Sequence, residues 1–191
     1  MPSDYKKLYE FCQELTPDIR RNDIKNKVLD ICDQRSVRVI ITTMNTAIMR
    51  GAFLGPKSGH PYVENSGVPY IVLARGLNYC WERFIFIKEL MHFFDKEEEK
   101  TTSVVFEPLL DSFSSPSSLE ERSPIYLSEI KAVWMAIACF CPEENRLKLK
   151  NDLLKGHIDE YGIALKLKMP AQHIRHLMSD KFEGIIGSLT E

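Results

Sequence analysis

The chain has 191 residues, 44% of them hydrophobic, and a formal net charge of −2; this is enough to bury a sizeable core in one domain, and it excludes a global positive field that would gather nucleic acid or an anionic membrane surface. Five cysteines, an odd number with no Cys-x-x-Cys pair, argue against a disulfide framework and against a zinc ribbon. No apolar run nears the roughly 18 residues of a spanning helix and the first residues lack a signal peptide's apolar core, so the expected setting is soluble and cytoplasmic, with no membrane partner.

Residues 5–15 and 18–34 read as two helices, the second entered through Thr16-Pro17 and carrying Ile19, Ile24, Val28, Leu29 and Ile31 at helical spacing. They are expected to cover a sheet. Residues 37–43 are rich in β-branched side chains and predict a short, half-buried strand. Residues 50–55 and 69–75 predict two more strands, joined by a Gly/Pro/Ser/Asn loop over 56–67. Residues 81–95 form the central helix of this reading, and 95–123, with a charge run and a Ser-rich stretch, read as an exposed loop. Residues 128–141 predict a helix that is apolar nearly all round, hence buried, and stopped by Pro142. A polar helix over 143–155 follows, then two short helical patterns within 158–177 separated by Met169-Pro170. The order gives an α+β fold: a small three-stranded sheet with surrounding helices and a helical C-terminal tail. It divides into N-terminal helices (1–36), a core (37–142) and a helical C-terminal extension packed on that core (143–191).

The chemistry gathers on the central helix, where Lys88, Glu89 and His92 interrupt an apolar run. Positions four apart share one helix face, so Lys88 and His92 lie one turn apart with Glu89 beside them. In an H-E-x-x-H helix two imidazoles at that spacing hold Zn²⁺, and the Glu between them is the general base on the metal-bound water. Here an ammonium stands in place of the first imidazole. A Lys ammonium has donors and no lone pair, so it ligates only after losing a proton held with a pKa near 10.4.

Two segments together resemble the ImmA/IrrE family of zinc metallopeptidases. Arg83-Phe84-Ile85-Phe86-Ile87-Lys88-Glu89-Leu90-Met91-His92 is similar to that family's Arg-Phe-Thr-x-x-His-Glu-Leu-Gly-His helix, and the run from Glu129 to Pro142, which begins Glu129-Ile130-Lys131-Ala132, resembles its Glu-x-x-Ala helix ending in Met-Pro. The resemblance covers roughly residues 37–178 and implies a zincin-like peptidase core. It puts Glu89 at the general base, His92 at the second metal ligand and Glu129 at the third. Lys88 departs at the first ligand, Met91 departs from the family's Gly, and Cys141 replaces the Met before Pro142. The implied protein is a degenerate metallopeptidase-like module, impaired in zinc binding, without a cofactor, that acts through a protein partner or in regulation. The alternative is an active zinc-dependent endopeptidase cleaving a regulatory protein such as a repressor, with His60 the nearest substitute for the missing ligand.

Each feature also has a plainer reading. The Lys88, Glu89 and His92 pattern alone fits a solvated polar stripe, and Glu129 alone fits a carboxylate at a helix N-terminus with Ser128 as cap. His60 reads as a surface-loop residue. His173 and His176, three apart, make half a metal site with no third ligand nearby. The segment bearing Gln172, His173, Arg175 and His176 has the rhythm of a helix-turn-helix reader of DNA, against which stand the net charge and a scaffold role; nucleic acid is not the favoured partner.

Overall fold

The computed structural model describes residues 3–15, 19–56, 58–96, 99 and 124–191. In chain order its elements are α1 (Asp4–Glu14), α2 (Arg21–Ile31), β1 (Arg38–Thr42), β2 (Gly51–Leu54), α3 (Pro61–Ser66), β3 (Tyr70–Ala74), α4 (Tyr79–Met91), α5 (Pro124–Ala138), α6 (Glu143–Leu154), α7 (Glu160–Leu167), α8 (Ile174–Leu177) and α9 (Phe182–Thr190). The fold is α+β, with a three-stranded mixed sheet in the order β1-β3-β2. β1 runs parallel to β3, with Arg38 opposite Tyr70, and β2 runs antiparallel to β3, with Gly51 opposite Leu73. No single helix among the described residues is long and apolar enough to cross a membrane.

Helix α4 is the centre of the packing. Asn78 caps it by accepting from the Trp81 backbone N–H at 3.0 Å, and the run from Arg83 to Ile87 is buried without a break. A helix apolar on every side needs a neighbour on every side. Here β2 and β3 cover one side, α2 a second and α5 a third. α2 therefore packs mainly on α4, and α1 on α2 and α9, not across the sheet as expected.

Two buried arginines tie distant segments to this centre. Arg83 donates to the carbonyls of Ile19, Leu167 and Lys168, the last two at 2.7 and 3.2 Å, and lies over the Phe140 ring at 4.3 Å. Arg146 pairs with Glu143 and Glu183 and donates to the Leu177 carbonyl at 3.3 Å. These guanidiniums satisfy backbone carbonyls at helix ends that burial would otherwise leave costly.

Several sequence expectations change. The loop over 56–67 contains α3, a short helix with Pro61 at its start, His60 at its N-cap and Gly67 closing it in the left-handed region at φ 63°. β1 is not half-buried: Val39 and Ile41 are exposed, because β1 is an outer strand and α4 packs on β2 and β3. α2 begins at Arg21, and its expected entry at Thr16-Pro17 lies outside the described residues. Most of the expected loop over 95–123, including its Ser-rich stretch, also lies outside them. α5 extends back to Pro124 and ends at Ala138, so Pro142 starts α6 as its N-cap and does not stop α5. A final helix, α9, follows the two expected in the tail; it buries Phe182 and Ile186.

Candidate functional site

β2 lies against α4 so closely that a Cβ on Gly51 would overlap the Ile85 side chain and come within 3.2 Å of Glu89 Oε1. Glycine at 51 therefore sets the distance between sheet and helix. Glu89, 1% exposed, points into this contact. One residue earlier, Lys88 is 12% exposed and turns towards α5. His92 is the C-cap of α4, one position beyond the helix body, where the chain tightens into a 3₁₀ turn over His92–Phe94. The i,i+4 relation to Lys88 survives that tightening.

Lys88 Nζ lies 2.9 Å from Glu89 Oε1 and 2.5 Å from Glu129 Oε2. Sequence-expected Glu129 is thus brought to the cluster from α5. His92 Nδ1 contacts Asp95 Oδ2 at 2.8 Å and Ser128 Oγ at 3.2 Å, and Ser128 Oγ donates to Asp95 Oδ1 at 2.7 Å. The other imidazole nitrogen, Nε2, is 3.3 Å from Glu129 Oε1 and 3.7 Å from Glu89 Oε2. Neither contact has hydrogen-bond geometry, so Nε2 is a buried polar atom without a hydrogen-bond partner among the described residues. We read the 3.3 Å contact as charge attraction only. The Phe53 ring of β2 stacks near the imidazole, 6.2 Å between centroids.

The result is two basic groups among three carboxyls in a largely buried pocket of side chains. Burial opposes the Lys88 charge, but the carboxylates of Glu89 and Glu129 overcome it and hold the ammonium well above the usual lysine range. Burial likewise opposes charge on His92, yet Asp95 and Glu129 raise its pKa to about 9, making it an imidazolium at neutral pH. Burial would raise the Glu129 carboxyl; Lys88 and then His92 hold it well below the usual carboxylate range.

This donor set does not fit a catalytic zinc as it stands. Such a site needs about three lone-pair ligands, and here the imidazole is held protonated while an ammonium sits on both carboxylates. Among the described residues no group of three His, Cys, Asp or Glu side chains is arranged to hold a metal ion. His60 caps α3, with its Nδ1 accepting from the Tyr62 N–H at 3.4 Å and its ring beside the Tyr62 ring. None of its contacts reaches the cluster.

The plainer readings also change. Ser128 is buried inside α5, four residues past its described start, so it bonds His92 and Asp95 and does not cap a helix at Glu129. The Lys88, Glu89 and His92 stripe is not solvated. His173 is packed face to face with Phe84 at 4.1 Å and edge-on to Trp81, which removes it from any groove-reading surface, and α8 is only four residues long. Asp95, Ser128 and Gly51 were missed by sequence reasoning. Asp95 had a signal: it lies three residues after His92, within reach of a carboxylate–imidazole bond once the helix ends there. In α5, Lys131 pairs with Glu99.

Compared with models of protein families, with curated proteins and with solved structures, the chain matches none.

Proposed function

We propose that the chain is a degenerate ImmA/IrrE-like metallopeptidase module with a zincin-like core, in which the Lys88 ammonium supplies the positive charge of the lost metal and which works by binding a protein partner. The observation that carries this reading is Lys88 Nζ lying within 2.9 Å of Glu89 and 2.5 Å of Glu129, the residues that the family resemblance assigns to general base and third ligand. A carboxylate held by an ammonium this closely is not available to activate water or to ligate a metal. Binding is served by β2, an outer strand of the sheet beside the cluster: the backbone groups of an edge strand pair with an extended peptide without any chemistry.

Metal content tests this. After incubation with zinc and dialysis, the wild-type chain should hold well under one zinc per molecule. Lys88→His restores a three-ligand set with His92 and Glu129, and should take up about one. Near-stoichiometric zinc in the wild type sinks the reading in favour of an active zinc endopeptidase; no uptake by a folded Lys88→His variant removes the claim that the remaining geometry is that of a metal site.

A further inference from the structure

A cleft of about 530 Å³ lies between the start of α2, the start of α4 and the end of α7. Its volume is that of a small-molecule site. Arg20, Arg21, Arg83, Lys166 and Lys168 line it, against one acidic side chain among the described residues, Glu82. In a chain whose net charge is −2, five cations facing one carboxylate is a marked local excess. Like charges gathered around a concave surface repel one another and raise the local concentration of anions.

The geometry assigns different duties to these cations. Arg83 is spent on three backbone carbonyls, those at the end of α7 included, so the negative end of that helix is neutralised before any ligand arrives. Arg21 pairs with Glu82 at 2.7 Å, which cancels the one lining carboxylate. Arg20 and Lys166 are exposed and make no ion pair among the described residues. Arg20 is also the N-cap of α2 and forms no side-chain cap there, so the first N–H donors of that helix add to the same positive rim. Lys168 ends α7 as its C-cap in a left-handed backbone conformation, φ 51°, with its N–H bonded to the Ala164 and Leu165 carbonyls. Tyr79, 65% exposed, supplies an aromatic ring to the lining.

We propose that this cleft binds a phosphorylated small molecule, with Arg20, Lys166 and the start of α2 on the phosphates and Tyr79 against its organic part. Guanidinium and ammonium donors gathered at one rim suit several phosphate oxygens at once. The site uses no residue of the Lys88 cluster, so it stands or falls apart from the function proposed above.

Calorimetric titration of the full chain with ATP, tripolyphosphate and adenosine tests it. Saturable binding of ATP and tripolyphosphate, with none of adenosine, is expected, with ATP the tighter because its base meets Tyr79; equal affinity for the two anions would overturn the placement of Tyr79 against the organic part. The exposed pair Arg20→Ser with Lys166→Ser should weaken anion binding by about tenfold or more, while Lys155→Ser, an exposed lysine outside the lining, should leave it within about twofold. Unchanged melting of both variants establishes that they fold. No saturable binding of either anion up to about 1 mM, binding of adenosine as tight as ATP, or undiminished affinity in the double variant would overturn the proposal.

Discussion

Replacing Lys88 with Met keeps the length of the side chain and deletes its charge. Glu89, 1% exposed, then has His92 at 3.7 Å as its nearest remaining cation in the cluster, and Glu129 has the same imidazole at 3.3 Å. Breaking a buried pair by removing one partner typically costs ~3–5 kcal/mol, because the remaining charge stays desolvated. Glu129 is 32% exposed and regains some hydration, which places the expected loss near the lower end, at about 3 kcal/mol. For a chain of this size that is a fall in Tm of roughly 6–12 °C. Urea unfolding at pH 7 reads it directly as a lower midpoint at unchanged slope. Lys148→Met is the control: its pair with Glu144 is 68% and 84% exposed, and losing it should leave the urea midpoint essentially unchanged. Adding Glu129→Gln to Lys88→Met should recover part of the loss. If Lys88→Met unfolds within about 0.5 kcal/mol of the wild type, the ammonium is not holding the cluster and the reasoning fails.

Two histidines set opposite pH limits. His92, raised to about 9, contributes stability that is complete below its unfolded value near 6.5 and is lost as pH climbs from there to 9. His173 is pushed by burial down to about 4, so it contributes while neutral, and that stability is lost as pH falls from about 6.5 to 4. Stability measured against pH should therefore peak near 6.5; His92→Gln should flatten the alkaline side and His173→Phe the acid side, and a profile untouched by either variant would contradict the burial described for both rings. Gly51→Ala should destabilise by ~1–3 kcal/mol, since the new methyl overlaps Ile85 and meets the Val72 carbonyl oxygen at 3.0 Å; an unchanged Tm would show that sheet and helix are not in such close approach.

What the sequence made legible was local. Apolar spacing located α1 and α6 to within a residue or two and α4 to within four, β-branched runs located β1 and β3, and bounding glycines located β2. The pairing of Lys88 with Glu129 was foreseeable only through the family resemblance, which puts both residues at ligand positions around one metal. Strand order and exposure were not legible: a run such as residues 38–42 looks the same at a sheet's edge as at its centre, since the pattern records side-chain type and not which neighbour arrives. Helix α3 was hidden because Gly, Pro, Ser and Asn mark a turn and a helix boundary alike, and here they mark both ends of a six-residue helix. Asp95 and Ser128 were hidden for a different reason. Their roles depend on where α4 stops and α5 starts, and element ends are the least determined part of any sequence pattern. The basic cleft assembles from three segments far apart in the chain, so no window of sequence contains it.

Arg83 has a consequence for how the chain is made. Its guanidinium takes carbonyl acceptors 64 residues before it and 84 and 85 residues after it. On a ribosome, α4 emerges long before residues 167 and 168 do. Until they arrive, the guanidinium lacks the Leu167 and Lys168 carbonyls, and burying it in that state forgoes part of the return on its desolvation. The nascent chain therefore gains by keeping the start of α4 wet while the Lys88 end collapses against the sheet. Completion of the central helix waits on α7, and a chain interrupted before that helix is left with its most apolar surface open to chaperones and proteases.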